Sequence, residues 1–318
     1  MKSIQQYNPD YMISAGTQVV LQVTKPIQGQ ADFKKQGCVG IVLQCPPNND
    51  LPYLIRFTDG SIVEAHNHEL TLRRQEIDHQ LEINEQDWSQ YIVYRCKVGS
   101  KAYGLSHEES DDDVRGIFIP PANLHWSLYK VPEQLEFLEG SQDEVFWEIE
   151  KFVKLALKAN PTFLEVLWTP IVLEESETSI ALRSIRDAFL SKHLYKTYSG
   201  YVLSQFRRMT NAYKNSGTFK VKHAMHLIRL LLSGIHALKT GEVLVDVSEH
   251  REELLAIRAG ERTFQQIRER AFQLEAEFLN AFEQTNLPDQ PDFTTIDNFL
   301  INARTQAATT YLNNQKSD

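Results

Sequence analysis

Apolar residues follow two different rhythms along this chain. In the first quarter, Thr17–Val23, Cys38–Gln44, Tyr53–Phe57 and Ile62–Ala65 are short runs of β-branched and aromatic residues split by turn-formers, which predicts strands. Thr58-Asp59-Gly60-Ser61 predicts the hairpin turn between the last two, because Asp-Gly tolerates the positive φ of tight hairpins. Short strands at this spacing predict a compact β-barrel. From Phe146 onward the rhythm is helical. Ile149, Phe152, Val153, Ala156 and Leu157 recur every three to four residues, an apolar stripe suited to packing on a sheet. Asn160-Pro161-Thr162 ends that helix and caps the next, so Asn160 and Glu165 are assigned to helix connection. In a helix around Phe219–Lys239, Val221, Met225, Ile228, Leu232 and Ile235 make an apolar seam beside a polar stripe of Lys222, His226 and Arg229. Phe264, Ile267, Ala271, Leu274, Phe278 and Ala281 mark a further helix. Leu287–Asp292 is a stiff linker to a last short helix, with a frayed tail from Asn313.

Between these regions lies the segment that carries chemistry. Two extended runs, Tyr91–Val98 and Val114–Pro120, flank Gly99-Ser100-Lys101-Ala102-Tyr103-Gly104-Leu105 and Ser110-Asp111-Asp112-Asp113. Gly99 lets backbone approach a phosphate, and Ser100 at a helix start adds a hydroxyl to free N–H donors. An acidic run can be a solvated turn, but the β-rich run that follows places these acids at the opening of a strand. Alternation then points Asp111 and Asp113 one way and Asp112 the other. Two like charges so close need neutralising, and hard carboxylate oxygens beside a phosphate suit Mg²⁺. Two such ions could activate an attacking hydroxyl and stabilise a pyrophosphate leaving group.

Gly99-Ser100, a short helix and then Asp111-x-Asp113 on the next strand resemble the DNA polymerase β-type nucleotidyltransferase superfamily. The longer string Gly99–Leu105 with Ser110–Gly116 is similar to its branch of predicted nucleotidyltransferases associated with bacterial and phage RNA repair. The likeness continues through Glu148–Phe152, Leu155–Pro161 and Leu164–Trp168. It implies a third carboxylate on a later strand. Asp143, in the β-prone run Gln142–Trp147, sits where the superfamily places that acid, with Glu144 and Glu148 as competitors. The resemblance implies transfer of a nucleoside monophosphate from an NTP with two Mg²⁺ ions. Asp111, Asp113 and Asp143 would be catalytic and metal-holding, and Gly99 and Ser100 would hold the triphosphate with Arg115 supporting charge nearby. The helix bearing Lys222 and Arg229 would close over the nucleotide, giving those two residues phosphates or an acceptor strand to grip. Tyr103 would stack on a base or simply pack. The first quarter is similar to SH3-like or tudor-like barrels and reads as a docking module. The expected fold is α+β: an SH3-like barrel over 1–78, a nucleotidyltransferase core with a mixed sheet over 79–175, and a helical bundle over 176–318. An RNA end is the expected acceptor. A protein hydroxyl, or a catalytically silent nucleotide- or RNA-binding role, is the alternative.

Composition narrows the setting. The chain has 318 residues, 42% of them hydrophobic, enough to bury a large core. No run approaches the ~18 apolar residues of a membrane span and the N-terminus lacks an apolar signal core, so a cytoplasmic location without membrane contact is expected. Cys38, Cys45 and Cys96 form no close ligand pair, and neither a disulfide nor zinc is expected. His66 and His68 read as ordinary polar residues. The net charge of −9 opposes broad attraction to nucleic acid. Basic clusters at Lys34-Lys35, Arg73-Arg74, Arg207-Arg208 and Lys220 with Lys222 could still supply a local groove.

Overall fold

The computed structural model describes residues 12–29, 31–48, 50–73, 83, 86–107, 110–139 and 142–315. The chain divides into two compact units, residues 1–82 and 83–318. The boundary expected between residues 78 and 79 lies outside the described residues.

The first unit is built from β1 (Gln18–Leu21), β2 (Lys25–Pro26), β3 (Phe33–Lys34), β4 (Val39–Gln44), β5 (Tyr53–Phe57), β6 (Ile62–Ala65) and β7 (Leu70–Leu72). Five of them form an antiparallel sheet in the order β6-β5-β4-β1-β7, and β2 and β3 pair separately. Alternate residues Val19, Leu21, Val42, Tyr53, Ile55, Phe57 and Val63 bury one face, as a period of two requires. At the β5–β6 turn Gly60 takes φ +81°, and Asp59 accepts from the N–H and hydroxyl of Ser61. The rings of His66 and His68 stack 5.8 Å apart just after β6. Among the described residues no ladder joins the edge strands β6 and β7, so the expected closed barrel is not shown; β7 is only three residues long.

The second unit holds a mixed five-stranded sheet. Its strands are β8 (Ile92–Lys97), β9 (Asp112–Phe118), β10 (Gln134–Glu139), β11 (Gln142–Glu148) and β12 (Val172–Glu175), ordered β10-β11-β9-β8-β12. Only β9 and β11 run parallel, with Asp113 opposite Asp143. The connection between them includes α2 (Ala122–His125) and β10. Both faces are covered, which explains why these strands are apolar on both sides. Val114, Phe118 and Phe146 meet Trp88 on one face. Tyr94, Cys96, Ile117 and Trp147 meet the helices on the other. Burial there pushes the Cys96 thiol up to about 12.

The helices after the sheet share that second core: α3 (Ile149–Ala156), α4 (Pro161–Trp168), α5 (Glu177–Ser184), α6 (His193–Ser216), α7 (Val221–Thr240), α8 (Arg251–Arg258), α9 (Phe264–Gln284) and α10 (Phe293–Asn314). Glu148 caps α3 by accepting from the N–H groups of Glu150 and Lys151. Asn160 caps α4, with Pro161 in its first turn. The α7 helix packs against α6, α8 and α9 and is buried on most of its surface, beyond the single seam that its periodicity predicts. The strands β2, β3, β7, β10 and β12 and the length of the last helix go beyond the expectations. That helix spans 22 residues instead of being short. Only Ile296, Phe299 and Ala303 are buried along it. Part of its docking is ionic, through Arg304 to Glu148 and Glu150, and so leaves little apolar periodicity to read.

Gly116 sits where β9 passes under its neighbours. A Cβ there would stand 1.9 Å from the carbonyl oxygen of Tyr94 and 2.8 Å from the Phe146 ring, and a backbone carbonyl cannot step aside. All four tryptophans, Trp88, Trp126, Trp147 and Trp168, belong to this unit, so their emission reports its unfolding. Gly116→Ala should cost about 3 kcal/mol in urea unfolding followed by tryptophan emission. Gly200→Ala, in α6 with nothing within 4 Å of the added carbon, should instead gain about 0.5–1 kcal/mol.

Candidate active site

The turn after β8 brings backbone against a carboxylate. Gly99 opens α1 (Gly99–Ala102) at φ +68°, a conformation that side chains disfavour. A Cβ at this position would lie 2.3 Å from Oδ2 of Asp113. The Val98 N–H donates to the Asp113 carbonyl at 3.0 Å, which pins the turn to the start of β9. Strand alternation sorts the three acids. Asp112 turns to Lys97 and Lys101, each 2.8 Å away, and hydrogen bonds from Lys101 and then Lys97 hold its carboxyl low. Asp111 and Asp113 line a cavity of about 530 Å³ with Gly99, Ser100, Arg115 and Lys222. Burial pushes the Asp113 carboxyl above its ordinary value, the charges of Asp143 and Asp111 add to the effect, and Arg115 opposes it.

The parallel register of β9 and β11 puts Asp143 beside Asp113 on the same sheet face. Arg115 bridges the two. Its guanidinium donates to the Asp143 carboxylate at 2.9 Å and to the Asp143 carbonyl at 2.7 Å, and lies 3.8 Å from Asp113. The competitors for the third acid are engaged elsewhere. Glu144 is on the opposite face, paired with Arg95 at 3.1 Å. Glu148 is the α3 cap and pairs with Arg304 at 3.1 Å.

Across the cavity, α7 divides its polar stripe. Lys222 and His226 are in the wall, and burial presses the His226 imidazole down to about 4, with Arg229 and Lys222 adding. Arg229 is buried beneath, so it neither lines the cavity nor forms the solvated face that a polar stripe suggests. Its guanidinium donates to Glu165 at 2.6 Å and lies over the Tyr103 ring at 3.8 Å. The Tyr103 hydroxyl donates to the other Glu165 oxygen at 2.7 Å. Tyr103 is therefore packed, and Glu165, assigned from sequence to helix connection, holds a buried charge cluster.

Sequence reasoning did not reach the residues that the helical region sends to the cavity mouth. Arg258 lines the cavity, donates to the Leu105 carbonyl at 3.2 Å and contacts His107 at 2.8 Å. Arg251 reaches the Ser106 carbonyl at 3.4 Å. The two arginines are seven residues apart on α8, hence on one helix face, a signal present in the sequence.

A family model described as the RNA repair pathway DNA polymerase beta family matches residues 73–302. The chain belongs to that family. Its curated relatives include the uncharacterized protein YcgL of Bacillus subtilis (strain 168), 30% identical over 163 residues, which are 50% of this chain and 61% of YcgL. The uncharacterized protein MJ0002 of Methanocaldococcus jannaschii is 30% identical over 158 residues, 48% of this chain and 63% of that protein. The matches thus cover less than two thirds of either relative. A crystal structure of a nucleotidyltransferase-like protein from Exiguobacterium sibiricum is similar at 11% identity and a TM-score of 0.27, over 72% of this chain and 79% of that one.

The polymerase β-type nucleotidyltransferase superfamily generally uses Mg²⁺. The chemistry of the donors fits: Asp111 and Asp113 offer hard oxygens, and the Asp113 carboxyl is raised by burial first, with the charges of Asp143 and Asp111 adding to it. Among the described residues, no three His, Cys, Asp or Glu side chains are gathered closely enough to hold a metal as they stand, and Asp143 is turned to Arg115.

The shift at Asp113 fixes a sign. A raised folded-state carboxyl favours the protonated form, so its stability contribution is complete below 3.8 and is lost as pH rises through the folded value. Asp113→Asn should therefore melt higher than wild type at neutral pH, with the difference vanishing in acid; a lower neutral-pH melting temperature would contradict this. Arg229→Met should cost about 3–5 kcal/mol by leaving Glu165 buried and unpaired, and Glu165→Met in the same chain should restore most of it in urea unfolding.

Proposed function

We propose that this protein transfers a nucleoside monophosphate from an NTP to an acceptor hydroxyl, with an RNA end as the acceptor. The observation that carries this reading is the abutment of Gly99 on Asp113 in one cavity with Asp111 and Lys222. It sets a side-chain-free turn, acids and a cation around one space, as a nucleoside triphosphate requires. Family membership supports the reaction class.

Each residue then has a task. Gly99 and Ser100 receive the triphosphate, Lys222 offsets its charge, and Arg258 stands at the mouth. Asp111 and Asp113, with Asp143 as third ligand, would hold magnesium, which would supply Lewis acidity and charge neutralisation at the phosphates. The acceptor oxygen forms a bond to the α-phosphorus, the bond from that phosphorus to the bridging oxygen breaks, and pyrophosphate leaves. We assign the hydroxyl proton to Asp143, which stands beside Asp113 on the neighbouring strand. Arg115 orients Asp143 through two hydrogen bonds. The first unit is assigned a docking role as an SH3-like module, and Arg229 a structural one.

Transfer of label from α-³²P-NTP, with RNA and protein acceptors side by side, tests the reaction, alongside melting with each NTP with and without Mg²⁺. Metal-dependent stabilisation by nucleotide and labelled RNA are expected. Asp111→Asn should reduce labelling to background, and Asp143→Asn should slow it by about 10²-fold. Label on protein alone would move the acceptor to a protein hydroxyl. No stabilisation and no label would leave a non-catalytic binding protein.

A further inference from the structure

No aspartate or glutamate occurs from Ala188 to Gly241, in a chain that carries 42 of them in 318 residues and a net charge of −9. That stretch folds as α6 and α7, packed on each other and joined through Gly217. A helix surface serving only its own stability gains from mixing both signs three or four residues apart; this one forgoes acids altogether.

The cations are arrayed, not scattered. Lys196, Arg207 and Lys214 are separated by close to whole helical turns, so they share one face of α6 along about 27 Å. Arg208, Lys220 and Lys222 gather around His223, whose Nδ1 meets Gln205 Oε1 of α6 at 2.9 Å. Burial and then the charges of Lys220, Arg208 and Lys222 hold the His223 imidazole low, which registers the local positive field. All six Lys and Arg side chains belong to exposed residues. Among the described residues none is in an ion pair, whereas Lys192, Arg229 and Lys239 of the same stretch are paired with Asp289, Glu165 and Glu277. Lys222 ends the array in the wall of the cavity.

We infer that this acid-free face of the α6–α7 pair binds the phosphate backbone of a single-stranded nucleic acid and leads its end to the cavity at Lys222. The delivery to the cavity rests on the transferase reading; the strand-binding surface does not. Cations along one helix face without interleaved acids suit a polyanion. In a protein whose net charge repels such a ligand, an acid-free approach is the condition for binding.

The test is fluorescence anisotropy of the full chain with labelled RNA and DNA oligonucleotides of one sequence, without NTP or Mg²⁺. Wild type should bind at about 50 mM salt and weaken steeply as salt rises. R207Q/R208Q/K214Q should weaken binding about tenfold or more and lower the log–log salt slope by about 2. K35Q/R56Q/K130Q, with the same change in net charge at exposed residues outside α6 and α7, should bind within about twofold of wild type. Melting curves confirm that both variants fold. Binding of RNA, DNA or both with this pattern supports the surface and identifies its source. No strand binding by wild type, equal loss in both variants, or tighter binding of polyglutamate than of either strand would overturn it. Strand binding that follows this pattern while NTP labelling fails would sink the transferase reading and leave the surface standing; labelling without strand binding would do the reverse.

Discussion

Three elements of the site meet on one buried charge. Arg229 of α7 lies over Tyr103 and donates to Glu165 of α4, which also accepts from the Tyr103 hydroxyl. Tyr103 directly follows the helix that Gly99 and Ser100 open. One ion pair therefore fixes the turn, the cap-bearing helix and the cavity-lining helix against each other. Burying it is expensive, and removing either partner alone is worse than removing both. What the pair secures is position: Lys222, two helical turns before Arg229, faces the acids because Arg229 is anchored below.

The acids themselves are held against their own repulsion. Asp113 is partly buried beside Asp111 and Asp143, with Arg115 as the nearest compensation. Such crowding lowers stability, a cost that the cation and polyphosphate of the proposed reaction would offset. Asp112 shows the contrast. One residue away and on the other face, it has two lysines and a lowered carboxyl.

Charge is also distributed unevenly along the chain. An acidic protein overall keeps its acids off α6 and α7 while placing Asp113 beside Asp143 on one sheet face and beside Asp111 in the cavity wall. Net charge governs long-range attraction, whereas local arrays set what a surface accepts, so the value of −9 describes neither region. Among the described residues no helix is long and apolar enough to cross a membrane.

Local patterning located the strands β1, β4, β5, β6, β8 and β9 and the helices α3, α7 and α9, because each buries an apolar face whose repeat is written in adjacent residues, whereas α4 was marked by its Asn160-Pro161 start and β11 by the family likeness. The same local logic paired Gly99 with Ser100 and sorted Asp112 from its neighbours, since alternation along a strand needs no distant partner. It could not find β10 or β12, whose place at the sheet edges comes from backbone pairing with strands distant in sequence. Nor could it measure α10, which docks through Arg304 as well as a sparse apolar stripe. The choice of Asp143 over Glu144 depended on which face β11 turns toward β9, a matter of inter-strand register. Arg229 was misjudged for a related reason: a polar residue on a helix stripe reads as exposed until the acid that buries it, 64 residues away in sequence, is brought alongside. Local pattern fixed the elements and the candidate acids; only long-range packing decided which charges face the cavity and which hold it together.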